Sequence, residues 1–269
     1  MIRFTHGIAA AALMASVLLL CDGAQAQLVA SYGFNNTLAA DQGGAPALTA
    51  VNSGAFTTAN IFGQSHSVYQ RTSASNASAS QSALRLDTTP LSLIANNYAV
   101  EIVFNFTDNL SPNGYRRVLD SFDPSSLQDP GLYVGPGSTL NIYQSGPHSG
   151  GTSLIDRTFY DVLLSVSSTG EQAYLNGTQV VSYAGTPDSI TTHFLTFFQD
   201  NTTEYGNGNV GLIRVFDRSL TTSEASALNN NGNPFTGTLT AAAPEPSSLA
   251  LLVLPALGVL VARRRTLTA

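Results

Sequence analysis

The chain has 269 residues, of which 43% are hydrophobic and only 10% are charged, and its formal net charge is −6 at pH 7. It contains no lysine, and its arginines are scattered until Arg263, so it lacks the clustered positive charge that nucleic-acid binding requires. Its one cysteine, Cys21, lies within the first 26 residues, which excludes a disulfide or a thiol nucleophile in the rest of the chain.

The first 26 residues have the features of a signal peptide. Arg3 precedes an apolar run over residues 8–20, and about 13 apolar residues are too few for a comfortable transmembrane helix. Ala24 and Ala26 then form a small-x-small cleavage site. The pattern predicts export and a mature N-terminus at Gln27.

The middle of the chain alternates short β-prone runs with turn residues, as in an all-β sandwich or barrel. Segment 98–106 places four apolar side chains on one face with a period of two. Asn176 and Gly177 stand between two β-prone runs and predict a type I′ hairpin turn. Short spacings favour antiparallel neighbours among the other predicted strands, which are 29–34, 83–86, 117–122, 132–134, 139–143, 162–166, 194–198 and 210–216.

One helix, one loop and one linker complete the predicted elements. Thr221 and Glu224 form a capping-box pattern ahead of a short helix that ends in the Asn-rich run 229–232. The Ser-, Ala- and Asn-rich stretch 65–82 is predicted to be a loop, and residues 236–243 a flexible linker.

Three segments of the middle region occur in a characteristic order. Segment 28–38 is followed by Asp41 and a Gly-Gly turn, segment 161–177 ends in a Tyr-Leu-Asn-Gly hairpin, and segment 211–220 is a closing strand. Together they resemble the laminin-G-like, or concanavalin A-like, domains of secreted bacterial proteins over most of residues 27–235. The resemblance implies an all-β, antiparallel two-sheet jelly-roll sandwich whose function lies in rim loops or on the concave sheet.

The sequence offers no recognisable catalytic motif. A retaining glycosidase needs two carboxylates roughly 5 Å apart, and the glucanases that share the jelly roll carry them on one strand as Glu-x-Asp-x-x-Glu. None of the glutamates has acids at that spacing, and Glu101 is predicted to face solvent from its strand. Because a Gly-x-Ser-x-Gly elbow and paired histidines are also absent, we expect a protein that is not an enzyme.

A calcium site is the metal site that the resemblance implies, since laminin-G-like domains often bind calcium through rim-loop oxygens. The candidate ligands are Asp200 and Asn201, with Asp41 joining them if the termini meet. Gly211 stands where the closing strand of the family often begins with an acid. A solvated Asx turn is the alternative, and the sequence leaves both open.

A sugar site would need an aromatic platform flanked by amides and hydroxyls. The chain has no tryptophan, so the platform would be built from tyrosines. Ordinary sheet packing explains the same side chains equally well, and the sequence does not choose among the candidates, which are Tyr133, Tyr143, Tyr183 and Tyr205.

The C-terminal residues 244–269 form a tail with three parts. Pro244, Glu245 and Pro246 precede an apolar run over residues 249–262, and Arg263, Arg264 and Arg265 follow it. As a helix, about 14 to 16 apolar residues would span roughly 21 to 24 Å, short of the usual hydrocarbon core. Snorkelling arginines extend such a helix, and the positive-inside bias places them in the cytoplasm.

This order of motif, short transmembrane helix and arginine cluster resembles the PEP-CTERM sorting tail of Gram-negative bacteria. The resemblance implies recognition by an exosortase-type protease in the inner membrane, and a place at the cell surface or in an exopolysaccharide matrix. The alternative is a plain membrane anchor. For the domain, we expect carbohydrate or protein binding without catalysis, and the alternatives are a structural matrix protein without a specific ligand or a glycoside hydrolase.

Overall fold

The computed structural model describes residues 26–73, 80–108, 113–121, 130–144, 146–187, 189–200 and 203–239. Residues Ala26–Leu239 form one compact unit. Within the described ranges, no helix is both long enough and apolar enough to cross a membrane. The predicted sorting motif, tail helix and arginine cluster lie outside the described residues, as does Ala24, whereas Ala26 packs against the domain.

The described residues form fifteen strands and one α-helix. The strands are β1 (Leu28–Tyr32), β2 (Thr49–Val51), β3 (Gly54–Ile61), β4 (Gln64–Arg71), β5 (Ala83–Asp87), β6 (Tyr98–Phe106), β7 (Arg116–Asp120), β8 (Gly131–Val134), β9 (Thr139–Tyr143), β10 (Pro147–Ser153), β11 (Tyr160–Ser167), β12 (Gly170–Leu175), β13 (Thr178–Ala184), β14 (Phe194–Phe197) and β15 (Gly208–Phe216). The helix is α1 (Thr222–Asn229), and 3-10 turns cover Thr89–Leu91, Pro136–Ser138 and Pro234–Thr236.

The strands form two antiparallel sheets. Sheet 1 has the order β13-β12-β11-β6-β15-β4-β3, and β1 also pairs with β15. Sheet 2 has the order β10-β9-β8-β7-β14-β5-β2. Most neighbours are distant in sequence, so the fold depends on long-range pairings. The all-β two-sheet sandwich expected from the sequence is confirmed.

One hydrophobic core fills the space between the sheets. Successive side chains of a strand point to opposite faces, and β6 therefore turns Val100, Ile102 and Phe104 inward, where they are at most 1% exposed. Sheet 2 contributes alternate residues of β8, β9 and β14 to the same cluster, including Leu132, Ile142, Leu195 and Phe197. The residues between them point outward, away from this core.

The local sequence signals are confirmed where they were strongest. Strand β6 has the predicted bounds, and Asn176 and Gly177 have φ values of 49° and 75° between β12 and β13, as a type I′ turn requires. The capping box at α1 is present, with the Thr221 hydroxyl accepting from the Glu224 amide and the Glu224 carboxylate accepting from the Thr221 amide.

The predicted loop over residues 65–82 is wrong for its first part. Residues 64–71 form β4, which pairs with β3 on one side and with β15 on the other. Val68 and Tyr69 are buried on opposite faces of this strand, although its neighbours are polar. Backbone pairing on both sides therefore outweighs a composition that is typical of loops.

A second layer covers the outer face of sheet 1. Helix α1 packs Ala225 and Leu228 against Leu163 and Phe216. Residues 236–239, which the sequence places in a flexible linker, belong to the same compact unit, and Leu239 packs on this cluster. Residues 236–239 therefore pack with the domain, and the remainder of the predicted linker, 240–243, lies outside the described residues.

Candidate functional site

Three tyrosines meet on the outer face of sheet 2. Tyr133 points outward from β8 because Leu132 and Val134 point into the core, Tyr143 lies at the end of β9, and Tyr115 directly precedes β7. We call Tyr115, Tyr133 and Tyr143 the tyrosine cluster. Their ring centroids lie 5.9 to 6.4 Å apart in edge-to-face geometry, the arrangement that aromatic quadrupoles favour. Tyr133 is 1% exposed, whereas Tyr115 and Tyr143 are half-buried.

Polar side chains border the two half-exposed rings. The Asn141 amide of β9 donates to the Thr139 carbonyl at 2.6 Å and accepts from the Ser149 hydroxyl of β10. The Glu204 carboxylate accepts from the Asn113 amide at 2.5 Å. Partial burial raises the pKa of Tyr115, and Tyr143 and Glu204 add to the effect. The Tyr115 phenol is therefore neutral and keeps its proton as a hydrogen-bond donor.

A buried ion pair supports the cluster from below. The Arg117 guanidinium lies 4.1 Å from the centre of the Tyr133 ring and donates to the Pro130 carbonyl at 2.7 Å. It also donates to the Asp200 carboxylate at 3.0 Å, and both side chains are at most 1% exposed. The Asp200 amide in turn donates to the Gln81 side chain at 2.7 Å. These contacts fix the position of Tyr133, on which the two outer rings rest.

The predicted calcium ligands have other partners. Asp200 is fully buried against Arg117, whose fixed positive charge disfavours a second cation there. Asp41 accepts from the Ser31 hydroxyl at 2.7 Å. Asn201 lies outside the described residues. No group of three or more His, Cys, Asp or Glu able to hold a metal occurs in the described part of the chain, and calcium binding stays a prediction.

The structure separates the four tyrosines that the sequence offered as a sugar platform. Tyr133 and Tyr143 share the cluster, whereas Tyr183 lies on β13 of the other sheet against His148, and Tyr205 is 7% exposed. Sequence reasoning missed Tyr115. The sequence does contain a signal for it, because Tyr115 stands two residues before Arg117. If β7 is extended by one residue to include Tyr115, both side chains lie on the same face of the strand.

The expectation that Glu101 faces solvent is wrong. It is 1% exposed, its carboxylate accepts from the Arg214 guanidinium, and Asp161 lies beside it. Burial raises the pKa of Glu101 to about 8, and the neighbouring Asp161 adds to this shift while Arg214 opposes it. Burial also raises the pKa of Asp161, which accepts from the Asn229 amide at 2.9 Å. This carboxyl pair lies beneath α1, where both side chains are at most 3% exposed.

Comparisons with known proteins place the fold in a broad structural class. No family model and no curated protein sequence matches the chain. Domain 4 of AbnA, a GH43 extracellular arabinanase from Geobacillus stearothermophilus solved in complex with arabinotriose, is 17% identical, with a TM-score of 0.56, over 77% of this chain and 100% of that one.

Two bacterial toxins are also similar. The binding domain of Paraclostridial Mosquitocidal Protein 1 is 13% identical over 76% of this chain, with a TM-score of 0.56. Botulinum neurotoxin type C, whose cell entry is described as dependent on two ganglioside molecules, is 11% identical over 76%, with a TM-score of 0.54. This chain spans about half of each toxin structure. At these identities the similarity defines the fold alone, an antiparallel β-sandwich.

Proposed function

We propose that the chain is an exported surface or matrix protein whose β-sandwich binds carbohydrate at the tyrosine cluster without catalysis. The observation that carries the proposal is the pair of half-exposed rings, Tyr115 and Tyr143, set among amide, hydroxyl and carboxylate groups. Sugars present apolar C–H faces and hydroxyl edges, which match an aromatic surface rimmed by polar groups.

The support beneath the rings makes them a prearranged surface. Tyr133 is held by Arg117, and Arg117 by Asp200 and the Pro130 carbonyl. A surface that is already ordered loses less conformational entropy when a ligand binds. Two proteins of similar fold, the AbnA domain with arabinotriose and botulinum neurotoxin type C with gangliosides, are described with carbohydrate ligands, which supports the same class of ligand here.

Absence of catalysis is part of the proposal. Glu101 and Asp161 are the adjacent buried carboxyls discussed above, and both are at most 3% exposed beneath α1. Beneath the tyrosine cluster, the Asp200 carboxylate pairs with Arg117 and is fully buried. Neither arrangement offers the two accessible carboxylates that glycoside hydrolysis uses.

Export and sorting rest on the two ends of the sequence. The signal peptide with Ala24 and Ala26, the Pro244-Glu245-Pro246 motif and the run Arg263–Arg265 support passage across the inner membrane and processing by an exosortase-type protease. Mass spectrometry of the secreted protein tests this proposal. We expect loss of the tail, and retention of a full-length C-terminus would contradict processing.

A glycan array probed with the purified protein tests the binding function. We expect Tyr143→Ala to lose binding and Tyr143→Phe to keep it, because the second change retains the ring and removes only the hydroxyl. Thermal unfolding of both variants controls for folding. If neither wild type nor variant binds any neutral or acidic glycan, the binding function fails and a structural matrix role without a ligand is favoured.

A further inference from the structure

A polar cavity lies on sheet 1, the sheet that does not carry the tyrosine cluster. It has a volume of about 490 Å³ and is bounded by β11, β12 and β13 of sheet 1 and by the connection that leads into α1. Ser165 and Gln172 point into this side because their strand neighbours Val166 and Ala173 point into the core. The volume falls within the range of small-molecule sites, roughly 300 to 1,000 Å³.

The lining of the cavity consists mainly of uncharged hydrogen-bonding groups. Hydroxyls come from Ser167, Thr169, Ser182 and the start of α1, and Tyr183 lies at the β13 side. Of the described residues that line it, Glu171 alone carries a charge, and Glu171 is 1% exposed and accepts from the Gln144 amide at 3.0 Å. Such a lining suits a ligand rich in hydroxyls and without charge, since a charge would have no accessible counter-charge.

The side-chain amide of Gln172 is held in one orientation. The Tyr174 hydroxyl, which also contacts the Thr222 hydroxyl at 3.3 Å, donates to Gln172 Oε1 at 2.6 Å. This bond uses the amide oxygen, and the Gln172 Nε2 donors have no partner among the described residues. The Ser182 hydroxyl, exposed on edge strand β13, likewise has none.

The hydroxyl of Ser165, which also lines the cavity, has a structural role that Gln172 and Ser182 do not share. Ser165 Oγ donates to the Leu220 carbonyl at 3.0 Å and accepts from the Leu220 amide at 2.8 Å, and so joins β11 to the segment before α1. This pair of bonds holds the wall of the cavity in place. Gln172 and Ser182 contribute no such bond, so their donors are available to a ligand.

We propose that this cavity is a second binding site, specific for a neutral polyhydroxyl ligand such as one or two uncharged sugar units. The proposed site depends only on the residues that line the cavity. Together with the tyrosine cluster, it would let one domain hold two carbohydrate chains on opposite faces. With both sites occupied, the protein cross-links a polysaccharide rather than only coating it.

Isothermal titration calorimetry of the purified full chain tests the second site. The probes are three neutral trisaccharides, arabinotriose, cellotriose and maltotriose, at up to about 10 mM, a concentration that reveals millimolar affinities. The variant Ser182→Trp fills the cavity from an exposed strand position, and Gln179→Trp is the matched control, because Gln179 is exposed on the same strand and does not line the cavity. Gln172→Leu removes the amide donors.

We expect at least one probe to bind Gln179→Trp as it binds wild type, and to lose one site in Ser182→Trp. We expect Gln172→Leu to weaken that site about five- to tenfold, the effect of losing one or two hydrogen bonds. Equal binding by Ser182→Trp and Gln179→Trp would overturn the second site. No heat from any probe would overturn it as well.

The same titration on Tyr143→Ala separates the two sites. If Ser182→Trp has no effect and Tyr143→Ala abolishes binding, the cavity fails and the function proposed above stands. If only Ser182→Trp abolishes binding, the cavity stands and the tyrosine cluster fails.

Discussion

At the scale of single residues, buried charges do the most to set the properties of this domain. Arg117 and Asp200 are paired out of water, and so are Arg214 and Glu101. A buried ion pair contributes little net stability, but removal of one partner leaves an unpaired buried charge. Each pair therefore acts mainly to hold its surroundings. These are the tyrosine cluster in one case and residues 234–239, which we call the C-terminal segment, in the other.

Loss of the Arg117 side chain is expected to destabilise the domain strongly. Arg117→Ala leaves the buried Asp200 carboxylate without its cation, and we expect the free energy of unfolding to fall by about 3 to 5 kcal/mol. Arg157 is exposed, and its side chain donates one long bond, to the Thr107 carbonyl at 3.4 Å. Arg157→Ala should therefore change stability by less than about 0.5 kcal/mol. Urea denaturation of both variants measures the difference, and equal losses would contradict the assigned role of Arg117.

The Glu101–Asp161 pair predicts a dependence of stability on pH. Because the folded pKa of Glu101 is about 8 and its ordinary value is 4.5, the folded protein binds more protons than the unfolded chain between these values. The contribution of Glu101 to the free energy of unfolding is therefore largest below about pH 4.5. It falls as the pH rises toward 8 and levels off above that. Asp161, whose pKa is also raised by burial, adds to the fall in the same direction.

The variant Glu101→Gln isolates this contribution. Denaturant midpoints measured between pH 5 and pH 8 should fall more steeply for wild type than for Glu101→Gln, because glutamine does not titrate. The charged groups that face Glu101 are Arg214, which lowers its pKa, and Asp161, which raises it, and the Asn229 amide contacts Asp161. Parallel profiles for the two proteins would contradict the raised pKa.

At the scale of elements, the sequence was informative where structure is local. Alternation predicted β6, Asn176 and Gly177 predicted the hairpin turn, and the capping box predicted α1, because each depends on neighbours within a few residues. Strand β4 depends on pairing with β15, more than 130 positions away (Arg71 with Gly208). Because the residues of β4 are mostly polar, the sequence predicted a loop there. Burial of Glu101 depends on α1 and the C-terminal segment, which no local pattern connects to β6.

The C-terminal segment is an element that the structure adds to the domain. Arg214 donates to the Pro234 carbonyl at 2.7 Å and to the Gly237 carbonyl at 2.6 Å, and the Phe235 ring stacks on His66 with centroids 3.6 Å apart. A Cβ atom at Gly237 would lie 1.6 Å from the Leu228 carbonyl oxygen. Only glycine therefore allows this close approach.

Substitution of Gly237 tests how the segment is held. Gly237→Ala should displace it from α1 and raise hydrogen exchange at the amides of Thr236 and Gly237, which otherwise donate to the Asn233 and Pro234 carbonyls. Gly151→Ala is the control, because a Cβ atom at Gly151 meets nothing within 4 Å. Unchanged exchange in Gly237→Ala would show that the segment tolerates a side chain there and is held less tightly than described.

At the scale of the whole molecule, the two sheets present different chemistry on their outer faces. Sheet 2 carries the tyrosine cluster, and sheet 1 carries the hydroxyl-lined cavity beside α1. Two of the four candidate tyrosines could be chosen only after folding, since Tyr133 and Tyr143 meet each other and Tyr115 through the pairing of β7, β8 and β9. The sequence identified tyrosine as the residue type for a sugar site, whereas the sheet topology determines which tyrosines form the tyrosine cluster.

Carbohydrate binding at the tyrosine cluster can be observed at the rings themselves, by NMR titration of the protein labelled at its ten tyrosines. With a glycan that binds on the array, we expect the ring signals of Tyr115 and Tyr143 to shift with saturation, while that of Tyr32, buried in the core on β1 of sheet 1, stays unchanged. Saturable binding that leaves Tyr115 and Tyr143 unshifted would contradict it.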